Sequence, residues 1–299
     1  EVELPGGELE EEIKKTPSSF DRSVEPAPGQ DPLVSVPEVW TEDLSNGVRV
    51  FGIQQDELPL VSVELVLNGG FYLDDTSKLG VANLMTDIMI EGTKSKTPKE
   101  LEDEIKLLGA DIYMYTTNED IIIGANTLSR NFDRTIALLE EILLEPRWDQ
   151  EEFELKKIKT VNELIQSEAN PSYIANVVMK KLLYGDNHIF AYDTRGNQTS
   201  VEGITIDDLK AYYENYFTPD LATLHVAGNV TKNQVLGSLK SLEENWAVKE
   251  VTFPEYQVPS PVTESKVYFV DIPGSKQSVI YIGYLALSRM NPDFYPATV

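Results

Sequence analysis

The chain has no cysteine and only two histidines, His188 and His225, among its 299 residues. Without cysteine there are no disulfides, no thiolate metal ligands and no cysteine nucleophile. Any site built on paired imidazoles would have to use both histidines. A Gly-x-Ser-x-Gly elbow is also missing, which removes the usual frame for a serine hydrolase. Basic residues are scarce, with 25 Lys and Arg against 50 Asp and Glu and a formal net charge of -25. Nucleic acid and anionic membrane surfaces would be repelled by that charge and are excluded as partners. An acidic lining could draw cationic peptides, although a solvated acidic surface that aids solubility is the plainer reading. No apolar run is long enough for a membrane-spanning helix.

What is present is a composition that is 41% hydrophobic, enough core for one large or two medium domains. Residues 1–37 hold six of the 17 prolines, and eight acidic residues precede Pro26. They read as an extended arm or linker rather than as a secretion leader, which would be basic and then apolar. A chain that opens on Glu1 in this way reads as a mature form or as a piece of something longer. The compartment stays open, with export to the periplasm as one option if a signal lies outside this sequence.

Strands are expected at Val48–Ile53, after the turn residues Ser45-Asn46-Gly47, and at Leu60–Leu67. Gly69-Gly70 then turns the chain into a helical pattern over Leu79–Glu91. A second helix begins at Thr97-Pro98, with Thr as N-cap and Pro in the first helical position, and stops at Gly109. Ala110–Thr117 and Asp120–Thr127 read as a hairpin. Helices follow at Asn131–Leu144, Asp149–Ser167, Pro171–Tyr184 and Thr205–Tyr216, then a strand at Thr223–Gly228 and a helix at Thr231–Glu244. This order gives an α+β fold with helices packed on a mainly antiparallel sheet. The domain reading is an arm at 1–37, an α/β subdomain at 38–251, a proline-rich linker at 252–265, and the start of a second, homologous subdomain at 266–299. Val267–Asp271 and Ser278–Leu285 are read as strands that repeat the order of Val48–Ile53 and Leu60–Leu67.

The stretch Leu79–Thr93, LGVANLMTDIMIEGT, carries the candidate chemistry. Leu84 with Ile88 and Met85 with Met89 make its apolar face. Asn83, Thr86 and Asp87 fall at i, i+3 and i+4, so three polar side chains share one narrow stripe of a greasy helix. A helix presents a zinc site in this way when two of those positions are His and the third is a Glu acting as general base. Here the donors are an amide, a hydroxyl and a carboxylate. Zinc prefers imidazole or thiolate, so affinity should be lost or very weak. A threonine hydroxyl cannot take a proton from water at neutral pH, so the base is missing too. A hard cation between Asp87 and a second carboxylate would need more oxygen ligands than these.

The run from Gly80 to Thr93 resembles the active-site helix of the insulinase-like zinc peptidases, a family that includes pitrilysin and mitochondrial processing peptidase. Its inverted His-x-x-Glu-His motif would align with Asn83, Thr86 and Asp87. The resemblance implies a distant metal-binding Glu, 76 residues beyond Asp87 at Glu163. It also implies that Lys156 stands where active relatives commonly carry another Glu. An edge strand that pairs with substrate would be Gly109–Thr116, where Tyr113 and Met114 replace a small Asn-Ala pair ahead of Thr116. Their bulk would either narrow a substrate groove or simply fill a cavity. His188 falls in a loop similar to one the family has, and His225 in mid-strand reads as a sheet-face residue rather than a ligand.

The resemblance implies a non-catalytic subunit or inactive half that helps a zinc-bearing partner half enclose peptides. The alternative is a peptide-binding or scaffold protein that kept the fold without any role in proteolysis. No cofactor is expected, whereas active relatives bind zinc. Asp87 and Glu163 are expected to lie close together, with at least one of them raised in pKa or neutralised by Lys156 or Lys159.

Overall fold

The computed structural model describes Asp21, Ser23, Glu25, Gly29, residues 37–259 and residues 263–298. The chain divides into two compact units, 1–36 and 37–299. Most of the expected acidic arm therefore lies outside the described residues.

In the second unit, strands β1 (Trp40–Asp43), β2 (Arg49–Gln54) and β3 (Leu60–Asn68) open the fold. Helices α1 (Val81–Met89) and α2 (Pro98–Leu108) follow, and then the hairpin β4 (Asp111–Thr116) and β5 (Asp120–Leu128). A run of helices comes next: α3 (Phe132–Leu144), α4 (Gln150–Ser167), α5 (Pro171–Tyr184), α6 (Gln198–Gly203) and α7 (Ile206–Tyr216). Strand β6 (Ala222–Gly228) and helix α8 (Lys232–Asn245) complete the layer, and a short α9 spans Phe294–Thr298.

The six strands form one sheet in the order β1-β2-β6-β3-β5-β4. All pairings are antiparallel except β2 with β6. The expected α+β architecture is thus the one observed. Period-two alternation sends Val61, Val63, Leu65 and Leu67 of β3 to one face, where they are buried against the helices together with Ile121 and Ile123 of β5. The other face carries Phe51, Glu64, Tyr113 and the exposed His225, and stays partly open. Helix α2 begins with the capping box of Thr97 and Glu100 and ends at Gly109 in the left-handed region. Strand β1 is not legible in the sequence, because WTED has too little apolar alternation to stand apart from the turn that follows.

Two expected strands are corrected. Val267–Asp271 and Ser278–Leu285 have no strand hydrogen bonding, and Val267 and Ile282 are almost wholly exposed. A strand exists only through a partner that satisfies its N–H and C=O groups. No such partner for these two segments lies among the described residues. The connection before them is tied down more firmly. Tyr72 donates to the carbonyl of Pro254 at 3.1 Å, and its ring meets that of Tyr256 edge-on at 5.0 Å.

Candidate functional site

Helix α1 is held rigidly at its N-terminal end. Gly80 lies at φ 103°, and a Cβ there would come within 2.4 Å of the Arg195 carbonyl, so only glycine admits the loop 193–196. The N–H groups of Gly80 and Ala82 donate to Asp74 at 2.7 and 2.9 Å. Asp74 is buried, and its pKa is pushed up to about 7 because desolvation outweighs these donors. No local pattern marks this contact, because Asp74 precedes the helix by more than the three residues of a capping box.

The polar stripe occupies the side of α1 that faces β4 and α4. The Thr86 hydroxyl donates to the Asn83 carbonyl at 2.8 Å and lies 3.3 Å from the Thr116 hydroxyl. Thr116 in turn donates to the Ala82 carbonyl at 3.0 Å, which fastens the end of β4 to α1. The Asn83 amide donates to Asp87 at 3.2 Å. Asn83 and Asp87 are half-buried and Thr86 is buried.

Helix α4 packs against α1, and its exposed Glu163 is near enough for its charge to act on Asp87. Burial raises the Asp87 pKa most. The charges of Lys156 and Lys159 lower it, and those of Glu163 and Glu91 add to the rise. Lys156 Nζ lies 2.5 Å from Glu91 Oε1, and Lys159 lies 3.7 Å from Glu163. One turn beyond Glu163, Ser167 accepts a long contact of 3.5 Å from Arg195. Arg195 grips Asp193 through Nε at 3.1 Å and Nη2 at 2.9 Å, and its guanidinium lies 5.6 Å from the Tyr173 ring centroid. Glu91 follows Asp87 by four residues, whereas Asp193, Arg195 and Tyr173 gather at the C-terminal end of α4 through contacts that no sequence spacing marks. Only the fold brings the 193–196 loop and α5 to α4, and no local spacing records that.

The substrate-strand positions separate between the two faces of the sheet. Met114 is buried in the core with α1, whereas Tyr113 lies on the open face, its ring covering Gly124 and 6.2 Å from that of Tyr115. Strand β4 is an edge of the sheet, so its outer N–H and C=O groups have no strand partner among the described residues. Near the C-terminal end of α1 and the start of β4 lies a cleft of about 530 Å³ lined by Ile90, Glu91, Leu101, Ile105 and Ile112.

Neither histidine belongs to the stripe. His225 stacks on Phe51 with centroids 5.6 Å apart on the open sheet face. The Nδ1 atom of His188 accepts from the Phe190 N–H at 3.1 Å, the ring packs beside Tyr184 and Tyr256, and burial lowers its pKa. Zinc does not fit the donors of the stripe. The Asn83 amide and Thr86 hydroxyl are spent on hydrogen bonds, Asp87 supplies the stripe's one anionic donor, and no imidazole faces it. Among the described residues no three His, Asp or Glu side chains converge in a way that would hold a metal ion.

Two family models match the chain: insulinase (peptidase family M16) over residues 49–189, and the peptidase M16 inactive domain over residues 203–299. The chain is 26% identical over 230 residues to the non-peptidase homolog YmxG of Helicobacter pylori, which covers 76% of this chain and 51% of that protein. It is 25% identical over 215 residues to the mitochondrial-processing peptidase subunit beta of Mus musculus, covering 72% of this chain and 43% of that one. A crystal structure of a peptidase M16 inactive domain from Pseudomonas fluorescens superposes with a TM-score of 0.70 at 20% identity, covering 75% of this chain and 54% of that one. The chain thus spans about half the length of the curated relatives it matches.

Proposed function

Because the chain belongs to the insulinase family of peptidases, we propose that it is a non-catalytic member, a subunit or half that helps hold peptides for a partner half carrying the zinc motif. One observation carries this reading. At the positions where the family's motif would place two ligands and a base, Asn83, Thr86 and Asp87 are engaged with each other and with β4. Peptide hydrolysis by the family's route needs a metal-bound water and a carboxylate base, and the stripe offers the metal a single carboxylate and puts a threonine where the base would stand.

What remains intact is the scaffold around that stripe. The edge of β4, unpaired among the described residues, can accept an extended peptide as an added strand, and the cleft beside Ile112, lined by Glu91, Lys99 and Glu102 as well as by apolar side chains, can take one of its side chains. Two relatives lend support from opposite sides, since one is named a non-peptidase homolog and another a subunit of a processing peptidase. Among the described residues no helix is long and apolar enough to cross a membrane.

A reconstitution experiment tests the reading. A family member that retains His-x-x-Glu-His, taken from the same source, is assayed on unstructured peptides with and without this chain. The reading predicts that this chain is inactive alone and raises the partner's rate when the two are mixed. If the chain binds such peptides but never alters a partner's rate, the scaffold alternative replaces it.

A further inference from the structure

Although zinc does not fit the stripe, the two helices that frame it still meet along a line of charge. Asp87 lies in the last turn of α1 and Glu91 two residues past its end, and on α4 Lys156, Lys159 and Glu163 recur at i, i+3 and i+7. The carboxylates of Glu91 and Glu163 both act unfavourably on a charged Asp87 across this packing. Something positive has to sit among them.

Two candidates are present, and they differ in burial. The Lys159–Glu163 pair lies within α4 at 3.7 Å, and its side chains are 68% and 47% exposed. Such a pair is screened by water and contributes little. Lys156 and Glu91 join α4 to the end of α1 at 2.5 Å, with side chains only 22% and 25% exposed. The same lysine exerts the strongest attraction of any cation on Asp87.

We propose that Lys156 is a tethered cation that stands in for a metal, clamping the segment just past α1 to α4 through Glu91. The misfit of the donors supports this. A primary ammonium needs no coordination geometry, offers three donors in rotatable directions, and can neutralise carboxylates that lack imidazole companions. The site is therefore rebuilt as a structural joint rather than left as an eroded pocket. This inference rests on the α1–α4 geometry and holds whether or not a partner half exists.

Thermal unfolding of the full chain with K156M, K156R, E91Q and the K156M/E91Q pair tests it. Methionine keeps the stem of the lysine and removes its charge. The expected result for K156M is a Tm lower by about 3–6 °C, as for losing one partner of a partly buried pair in a chain of this size. K156R should stay near wild type, and E91Q should recover part of the K156M loss, because fewer uncompensated carboxylates remain. K159M should shift Tm by no more than about 1 °C. Wild-type Tm should not respond to MnCl2 or EDTA. The proposal is overturned if K156M matches wild type, if the double variant keeps the full loss, or if MnCl2 stabilises the wild type saturably. Should K156M fail to fold, folding of K156M/E91Q supports the clamp and its failure overturns it.

Discussion

The two ends of helix α1 hold carboxylates in opposite ways. Asp74, at the N-terminal end, is buried and takes its hydrogen bonds from backbone N–H groups. Asp87, near the other end, is only half-buried and is set among side-chain charges of both signs. Backbone donors come with the fold and cannot be substituted away, so the first arrangement fixes where the helix starts. Side-chain partners can change one residue at a time. The second arrangement is where chemistry can be lost, or converted, without disturbing the helix.

The largest effect should come from breaking the first arrangement. Asp74→Ala strands two buried N–H groups and is expected to cost about 2–4 kcal/mol in urea unfolding. A loss under about 0.5 kcal/mol would place those N–H groups within reach of water and erase the contrast between the ends.

Next in size is a pH effect of unusual sign. The folded pKa of Asp74 is pushed up to about 7, above an unfolded value near 4, so the folded state binds its proton more tightly. Its contribution to stability is therefore complete below about pH 4 and is lost as the pH rises toward 7. Asp74→Asn should flatten the Tm profile across that window, and a profile parallel to wild type would contradict the assignment.

The link between α1 and the edge strand gives a smaller change. Thr116→Val removes the bond to the Ala82 carbonyl and should cost about 1 kcal/mol. Faster amide exchange at the end of β4 should accompany it, while α1 itself stays protected. Smallest of all is Asp87→Asn. Burial already disfavours the charged form and Glu91 and Glu163 crowd it, so stability should stay within about 0.5 kcal/mol of wild type or rise slightly. A loss of several kcal/mol would instead make Asp87, and not Glu91, the main anchor of the Lys156 clamp.

Much of this was legible in the sequence, for definite reasons. Helix α1 follows from the apolar spacing of Leu84, Met85, Ile88 and Met89, and α2 from Thr97-Pro98 and Gly109, because those signals are local. The stripe itself is local too, and the spacing of Asn83, Thr86 and Asp87 was enough to pose the question of zinc. The cap by Asp74 and the Arg195–Asp193–Tyr173 group were invisible, since each joins residues that only the folded chain brings together. Val267–Asp271 and Ser278–Leu285 were misread for a related reason: alternating apolar residues describe what a strand would bury, not whether a neighbouring strand is there to pair with it.

The central claim, that this chain keeps the family's scaffold without its metal chemistry, is tested most directly by zinc binding and cleavage measured on one preparation. The chain is purified without chelator, equilibrated with zinc and desalted, and its metal content is read by elemental analysis while unstructured peptides are assayed with and without chelator. The account predicts a zinc content well below one per chain and no cleavage in either condition. Roughly one tightly held zinc per chain, together with peptide cleavage that a chelator abolishes, would contradict it.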